Sequence, residues 1–350
     1  MVISRLVLRA GAVLALLSVI LSYQVSRLGR RFPTGQEVIY ISNVNRIWDI
    51  QVHSLSRGLS YNLTRKIVPS SIRNWLPAWS PDGRYLVFVA AFPQYKRLLL
   101  LYDTRINYLR VLDDVGTYQN RPTWSPDGEW LAYAVYHDSD WDIHIQRMTD
   151  PNIHLIDVKI TGETNDRKPM WSPDGEWLAY VSGRRGNSDL YLVNRWGYDQ
   201  RRLTNGMQVD EDYVAWSPAG THLAFTTNRD GNSEIYVVNV QTGALTNLTR
   251  HFARDYNPVW SPDGAYLVFV SNRDGDDELY MMDHFGENVI QLTHNTTLDY
   301  DPVWSSDGRY VLYISVPDLT GEIALLDLQT GNVRQLTRND IDDWSPIWKP

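Results

Sequence analysis

Seven tryptophans recur at nearly constant spacing and constrain the fold of this chain more than any other feature. They occupy positions 79, 124, 171, 216, 260, 304 and 348, so successive members are 44 to 47 residues apart. Most stand in one motif, Pro-x-Trp-Ser-Pro-Asp-Gly, as at residues 77–83 and 258–264. Repeats of this length are typical of β-propellers, in which each repeat forms a blade of four strands.

Each repeat also contains the turns and apolar stretches of a four-stranded meander. Ser-Pro-Asp-Gly predicts a tight turn, because proline presets φ and glycine accepts a positive φ. In the repeat that begins at Pro258, an apolar strand follows at residues 266–270, a second turn at 272–275 and a third strand at 278–282. An outer strand then ends at Leu292-Thr293. Four strands per repeat are therefore predicted.

The two ends of the repeat region complete one another. Residues 32–40 align with the turn and second strand of a repeat, but no tryptophan-bearing first strand precedes them. Residues 345–350 match a first strand, but the turn that should follow it is missing. Pairing these segments closes the ring and removes the exposed sheet edges of an open array. We predict an all-β, seven-bladed β-propeller over residues 33–350, closed by its N- and C-terminal strands and preceded by one N-terminal hydrophobic helix.

The recurring Pro-x-Trp-Ser-Pro-Asp-Gly motif, with its apolar strand and the Asn-Arg-Asp-Gly turns at residues 228–231 and 272–275, resembles the TolB-like β-propeller repeat family. The resemblance covers about residues 33 to 350. It implies a propeller that binds or scaffolds other molecules in the bacterial envelope, more often than one that catalyses a reaction.

Residues 1–32 form a separate unit with the features of a signal anchor. Ala10 to Val25 carry no charge and follow Arg5 and Arg9. As a helix this stretch spans about 24 Å, somewhat less than the roughly 30 Å hydrocarbon core, so an export signal and an anchor both fit. No small-x-small cleavage sequence follows it, which favours an uncleaved anchor. We expect residues 6–25 to contact the membrane and the propeller to lie outside the cytoplasm, periplasmic or extracellular, or to be secreted if the segment is cleaved.

The net charge of the chain restricts the class of binding partner. The chain has 33 basic and 41 acidic residues, a net charge of −8, and five arginines but no acid precede residue 36. The remaining body therefore carries 28 basic against 41 acidic residues. An acidic surface repels phosphate backbones, so we expect no nucleic-acid partner. A cationic protein or peptide fits better.

The loops that enter the first strands supply the candidate binding residues, because in a propeller they surround one mouth of the central channel. Five residues before each motif tryptophan stand polar residues, five of them acidic: Asn74, Gln119, Asp166, Glu211, Asp255, Asp299 and Asp343. Aromatic residues follow four of them: Trp75, Tyr256, Tyr300 and Trp344. This ring predicts a mouth that binds a protein, peptide or glycan, with the aromatic rings stacking on a cation or sugar. The alternative is that each carboxylate caps its own loop and holds neighbouring blades together.

The sequence supports a catalytic function less than a binding function. With no cysteine and no Gly-x-Ser-x-Gly motif, the chain lacks thiol and serine nucleophile signatures, and no phosphate-binding glycine loop occurs. We expect no cofactor and no metal, since the acidic stretch 274–278 lacks the alternation of a calcium loop and is interpreted as a hairpin turn. The chain is therefore predicted not to be an enzyme. His251 and His294, in comparable loops, keep open a metal-dependent propeller lyase or hydrolase acting on glycans.

Overall fold

The computed structural model describes residues 37–350 except 45, 70–71, 93–96, 117–121, 138–139, 149–154, 159–164, 185 and 206–211. The described strands form seven four-stranded antiparallel sheets, as predicted for seven blades. The predicted N-terminal helix and membrane contact fall within residues 1–32, outside the described part. Within the described part, no helix has the length and hydrophobicity needed to cross a membrane.

The strands follow one another in a regular order, with one short 3-10 turn at Thr64–Lys66 after β3. The first half comprises β1 (Glu37–Val44), β2 (Ile47–Ser54), β3 (Leu59–Asn62), β4 (Arg73–Trp79), β5 (Tyr85–Ala91), β6 (Arg97–Asp103), β7 (Tyr108–Gly116), β8 (Thr123–Trp124), β9 (Trp130–His137), β10 (Asp140–Arg147), β11 (Leu155–Val158), β12 (Asp166–Trp171), β13 (Trp177–Ser182) and β14 (Asp189–Asn194). The second half comprises β15 (Arg201–Arg202), β16 (Asp212–Trp216), β17 (His222–Thr227), β18 (Glu234–Asn239), β19 (Leu245–Asn247), β20 (Asp255–Trp260), β21 (Tyr266–Ser271), β22 (Glu278–Asp283), β23 (Ile290–Gln291), β24 (Leu298–Trp304), β25 (Tyr310–Val316), β26 (Glu322–Asp327), β27 (Asn332–Gln335) and β28 (Asp343–Trp348).

Six blades are contiguous in sequence and one is shared between the two ends of the described chain. Blades 1 to 6 run β4–β7, β8–β11, β12–β15, β16–β19, β20–β23 and β24–β27, and blade 7 has the order β28-β1-β2-β3. In blade 7, Val38 pairs with Trp348 and Ser42 with Asp343. The predicted closure of the ring by the terminal strands is confirmed.

The motif tryptophans join the first strands of neighbouring blades. At five junctions the indole Nε1 donates to the carbonyl oxygen just before the tryptophan of the preceding blade: Trp124 to Ala78, Trp171 to Thr123, Trp216 to Met170, Trp304 to Val259 and Trp348 to Val303, at 3.1–3.4 Å. First strands therefore form the inner wall around the channel, whereas the fourth strands stand outermost and expose most of their side chains.

The core lies between blades. Leu267 and Phe269 of blade 5 pack with Ala224 and Ile235 of blade 4, and Val268 of blade 5 packs on the other side with blade 6. The second and third strands are thus covered on both faces, which explains why they are apolar almost throughout instead of alternating.

The Ser-Pro-Asp-Gly turns also contact one another around the ring. Gly175 has a φ of +70°, and a Cβ there would lie 3.4 Å from Pro126 Cδ in the turn of the preceding blade. The same glycine–proline arrangement recurs at four other junctions. Proline and glycine in this motif therefore serve both the turn and the contact between blades.

Candidate functional site

The acidic ring predicted from the sequence lies where the first strands begin. Its described members occupy the first or second position of their strands: Asn74, Asp166, Asp255, Asp299 and Asp343. Gln119 and Glu211 lie outside the described residues. The five described side chains are fully buried. Ligand binding by this ring stays a prediction.

In two blades an arginine from the second turn neutralises the ring carboxylate. Arg273 Nη2 contacts both oxygens of Asp255, at 2.9 and 3.0 Å. Arg184 Nη2 approaches the two oxygens of Asp166 at 3.5 and 3.4 Å. Each ion pair connects the second turn of a blade to its first strand, which is the capping role considered as the alternative for these carboxylates.

Between blades 5 and 6 the carboxylate has no such arginine, because Pro317 stands where Arg273 stands in blade 5. Asp299 instead lies beside Glu278 of the preceding blade. Asn295 donates from its backbone N to Glu278 Oε1 and from its Nδ2 to Asp299 Oδ2, both at 2.7 Å. Burial raises the pKa of Glu278 to about 7 and also raises the pKa of Asp299. Two buried acids in contact therefore retain a proton near neutral pH.

This acid pair predicts that stability falls as pH rises. Because the pKa of Glu278 is higher in the folded state than in the unfolded state, the folded state binds the proton more tightly. The resulting stabilisation is complete below the pKa of the unfolded state, near 4.5. It is lost as the pH rises through the pKa of the folded state, about 7. We expect the free energy of unfolding to decrease by on the order of 2 kcal/mol over this range. Urea unfolding at pH 5 and pH 8, without divalent cations, measures it.

Glu278→Gln should make the pH profile less steep, because glutamine does not titrate; the raised pKa of Asp343 leaves a smaller dependence between pH 5 and pH 8. Glu129→Gln, on the exposed surface, serves as the control and should keep the wild-type slope. An equally steep profile in Glu278→Gln would show that other groups cause the dependence.

The four predicted aromatic residues pack against neighbouring groups instead of standing free. Trp75 is buried with the Arg97 guanidinium 4.9 Å from its ring centroid. Tyr256 donates from its hydroxyl to Asp277 Oδ2 at 3.0 Å. The rings of Tyr300 and Trp344, in adjacent blades, are 5.7 Å apart. Tyr256, Tyr300 and Trp344 remain partly exposed, so stacking on a ligand at these positions stays a prediction.

The sequence did not reveal a repeated distortion of the inner wall. Two residues after each of the five described ring positions, and also two residues after position 211, a non-glycine residue adopts a φ between +50° and +56°: Leu76, Lys168, Tyr213, Asn257, Asp301 and Ser345. The strand register shifts at each of these positions, as in a β-bulge. Non-glycine residues rarely adopt such conformations, and bulges often change the direction of side chains beside functional sites. The available sequence signal was weak: proline follows five of the six.

Four of these bulge residues, Lys168, Tyr213, Asn257 and Asp301, form what we call the channel cluster. Lys168 Nζ lies 5.4 Å from the Tyr213 ring centroid, and Asn257 Nδ2 donates to Asp301 Oδ1 at 2.8 Å. The Tyr213 ring is 5.9 Å from that of Tyr256, which precedes Asn257. The cluster thus joins blades 3, 4, 5 and 6 across the inner wall and combines an amine, a phenol, an amide and a carboxylate.

The cluster is partly withdrawn from water. Burial, together with a smaller effect of the neighbouring Arg167 charge, lowers the pKa of Lys168 to about 8. Burial also raises the pKa of Tyr213, with the Asp301 charge adding to the effect. Polar groups in such surroundings interact more strongly with a ligand than they would in water.

The two histidines proposed as ligands of a catalytic metal, His251 and His294, do not belong to a group of potential metal ligands in the described part of the chain. His251 Nδ1 accepts a hydrogen bond from the Ala253 backbone N at 3.1 Å. Among the described residues, the single group of three or more potential ligands is Asp274, Asp276 and Glu278, whose oxygens lie within 4.8 Å of one another, and neither His251 nor His294 belongs to it. The described geometry therefore does not favour the histidine-based alternative.

Comparison with known proteins identifies the repeats. A family model described as the TolB beta propeller domain matches residues 62–214 and 210–350. The comparison with curated proteins gives no significant match.

Solved structures share the fold. A putative TolB from Agrobacterium tumefaciens is 27% identical, covering 68% of this chain and 87% of its own, with a TM-score of 0.52. TolB from Acinetobacter baumannii is 17% identical over 96% of this chain and 71% of its own, with a TM-score of 0.59. An oligogalacturonate lyase in complex with manganese is 14% identical over 88% and 87%, with a TM-score of 0.65. The last two likenesses show the fold alone. Since the family model spans most of the repeats, this chain belongs to the TolB β-propeller family.

Proposed function

We propose that this chain is a non-catalytic scaffold that binds a protein or peptide at the inner wall of its propeller, through the channel cluster. The observation that carries the proposal is the repeated bulge with positive φ at non-glycine residues. Such conformations cost on the order of 1 kcal/mol or more each, and they persist where the surrounding structure or function requires them. Here they bring four chemically different side chains into one cluster.

The chemistry of the cluster supports a polar segment of polypeptide as ligand. Lys168 and Asn257 donate hydrogen bonds, Asp301 accepts them, and Tyr213 offers a ring that remains 40% exposed. A peptide presents carbonyl oxygens, amide protons and side chains that match this mixture. Similarity to TolB structures supports the same class of function, and the acidic body favours a partner with cationic residues.

We further propose that residues 6–25 tether the propeller to a membrane, with the propeller in the periplasm or outside the cell. The uncharged stretch from Ala10 to Val25 supports the tether. A bacterial-envelope location agrees with the family resemblance.

Site-specific crosslinking tests the binding site. A photoreactive amino acid replaces Tyr213 in the full chain, in its native membranes, and the control replaces Tyr198. Tyr198 is 72% exposed and belongs to the connection between β14 and β15. Arg195 of the same connection contacts Asp127 in a Ser-Pro-Asp-Gly turn. This connection therefore lies at the face of the propeller opposite to the loops that enter the first strands. We expect an adduct at position 213 that is absent at position 198 and is weakened at least tenfold by Asp301→Asn. Adducts at position 198 alone, or an adduct unaffected by Asp301→Asn, would contradict the proposed site.

A further inference from the structure

Two blades of this propeller show how a buried ring carboxylate can be neutralised by an arginine of the same blade. In blade 5, Arg273 pairs with Asp255, its Nε donates to Ser271 Oγ at 2.9 Å, and its guanidinium lies 4.8 Å from the Tyr280 ring centroid. Blade 3 repeats this arrangement, with Arg184 donating to Ser182 Oγ and lying 4.2 Å from the Tyr191 ring. The internal cation, the serine and the tyrosine form one unit.

Blade 7 keeps the serine and the carboxylate but lacks the cation. Ser42 pairs with Asp49 as Ser271 pairs with Glu278, so Val44 occupies the arginine position. By the same register, Gln51 replaces the tyrosine. The ring carboxylate in this blade is Asp343, at the start of the closing strand.

A second buried acid lies beside Asp343. Asn339 donates from its backbone N to Glu322 Oε1 at 2.8 Å and from its Nδ2 to Asp343 Oδ2 at 3.0 Å, so one residue holds both carboxyl groups. Glu322 is 2% exposed and Asp343 is 0% exposed. Each has one further buried oxygen, Glu322 Oε2 and Asp343 Oδ1, without a well-aligned hydrogen-bond donor, and the Ser42 and Thr337 hydroxyl groups are the nearest candidates beside Asp343. No ion pair reaches either residue within the described part of the chain.

A pair of buried carboxylates in which two oxygens lack a well-aligned donor is costly unless a positive charge compensates it. Burial, with a smaller contribution from the charge of Glu322, raises the pKa of Asp343 to about 6. The hydroxyl groups of Ser42 and Thr337 lie near the same carboxyl and lower its pKa. All the available ligand atoms are oxygens, which is the chemistry of a hard cation.

We propose that a metal cation of the calcium class binds between Glu322 and Asp343, with Ser42 and Thr337 beside it, in place of the arginine that blades 3 and 5 supply internally. Because Asp343 pairs with Ser42 across the closing strands, the cation stabilises the contact between the two ends of the ring. This site is separate from the channel cluster and does not depend on the proposed function.

Thermal unfolding of the full chain in detergent, followed by tryptophan fluorescence at pH 8, tests the site. Calcium chloride is added to chelator-treated protein at constant ionic strength set with choline chloride. We expect saturating calcium to raise Tm by about 4 °C. Asp343→Asn should remove this shift without lowering the Tm of the calcium-free protein, because it removes one of two repelling charges. Asn74 occupies the same position in blade 1, so asparagine is compatible with the fold.

Two matched variants locate the effect. Asp255→Asn should lower Tm, since it leaves the partly buried Arg273 without its carboxylate partner, yet keep the calcium shift. Asp276→Asn should keep the shift as well, because Asp276 belongs to the separate group in the second turn of blade 5. If Asp343→Asn fails to fold, Glu322→Gln replaces it, with calorimetric calcium titration as a second readout.

Three outcomes would overturn the proposal. A calcium shift that survives in Asp343→Asn and disappears in Asp276→Asn would place the cation in the second turn of blade 5. A shift that persists in all variants would indicate nonspecific screening. Absence of both a shift and binding heat at pH 8 would show that the two carboxyl groups share a proton instead of a metal.

Discussion

A chain that ends at Asp342 is expected not to form the propeller. The deletion removes β28, which is the inner strand of blade 7 and pairs with β1. It exposes the edge of β1 and removes Trp344, Ile347 and Trp348 from contact with their neighbours. These three side chains are partly buried. Truncation of a fully buried one costs about 2–5 kcal/mol, so even a fraction of that cost at three positions, added to the lost strand pairing, is comparable with the whole stability of a typical domain.

Soluble yield and circular dichroism of the purified chain measure this effect. We expect aggregation, because an open ring leaves a strand edge and an apolar blade face uncovered. Deletion of Lys349 and Pro350 alone is the control. It removes the 2.7 Å contact of Lys349 Nζ with the buried Glu37 Oε2 and the backbone hydrogen bond from Lys349 N to Glu37 O, but it keeps the pairs between β28 and β1, so a folded protein with a lower Tm is expected.

A synthetic peptide of residues 340–350 provides the converse test. Added during refolding of the chain that ends at Asp342, it should restore part of the native signal by supplying the missing strand. If the truncated chain alone unfolds with the wild-type Tm, closure by β28 does not hold the ring together.

Gly286→Ala has the second largest expected effect: it should lower the free energy of unfolding by about 3 kcal/mol. Gly286 lies in the turn between β22 and β23 with a φ of +83°, and an added Cβ would lie 2.5 Å from the Leu248 carbonyl oxygen of the preceding blade. The positive φ alone costs about 1 kcal/mol in alanine. The overlap with backbone atoms adds about 1–3 kcal/mol because two blades must separate locally.

Gly331→Ala separates the two causes. Gly331 occupies the corresponding turn of blade 6 with a φ of +71°, but nothing lies within 4 Å of its added Cβ. We expect this variant to lower the free energy of unfolding by about 1 kcal/mol, because only the positive φ is unfavourable for alanine there. Urea unfolding of both variants gives the comparison, and equal losses would mean that the contact with Leu248 adjusts without cost.

The candidate site was only partly predictable. The spacing from each motif tryptophan located the ring positions, because strand length and loop position repeat with the blade. It did not show that Asp255 is held by Arg273 whereas Asp299 and Asp343 lack an arginine. Arg273 and Pro317 occupy the same repeat position in the sequence, but the contact between that position and the ring carboxylate depends on the tertiary structure.

The channel cluster was missed for a related reason. A bulge places an extra residue opposite its partner strand, and nothing in residues such as Lys168 or Tyr213 favours a positive φ. Their conformation depends on how the first strands fit around the ring. The proline that follows most of them is a restraint on the preceding residue but does not by itself predict the left-handed region.

The sequence by itself determined the number of blades, the four-strand order and the closure by β28 and β1, since these follow from a repeat that is local to each blade and from its two incomplete ends. Only the tertiary structure decided which carboxylates are neutralised, where the inner strands bulge and why Gly286 must lack a side chain. Each of these depends on contacts between residues of different strands or different blades, and the energies of such contacts arise only when the ring has closed.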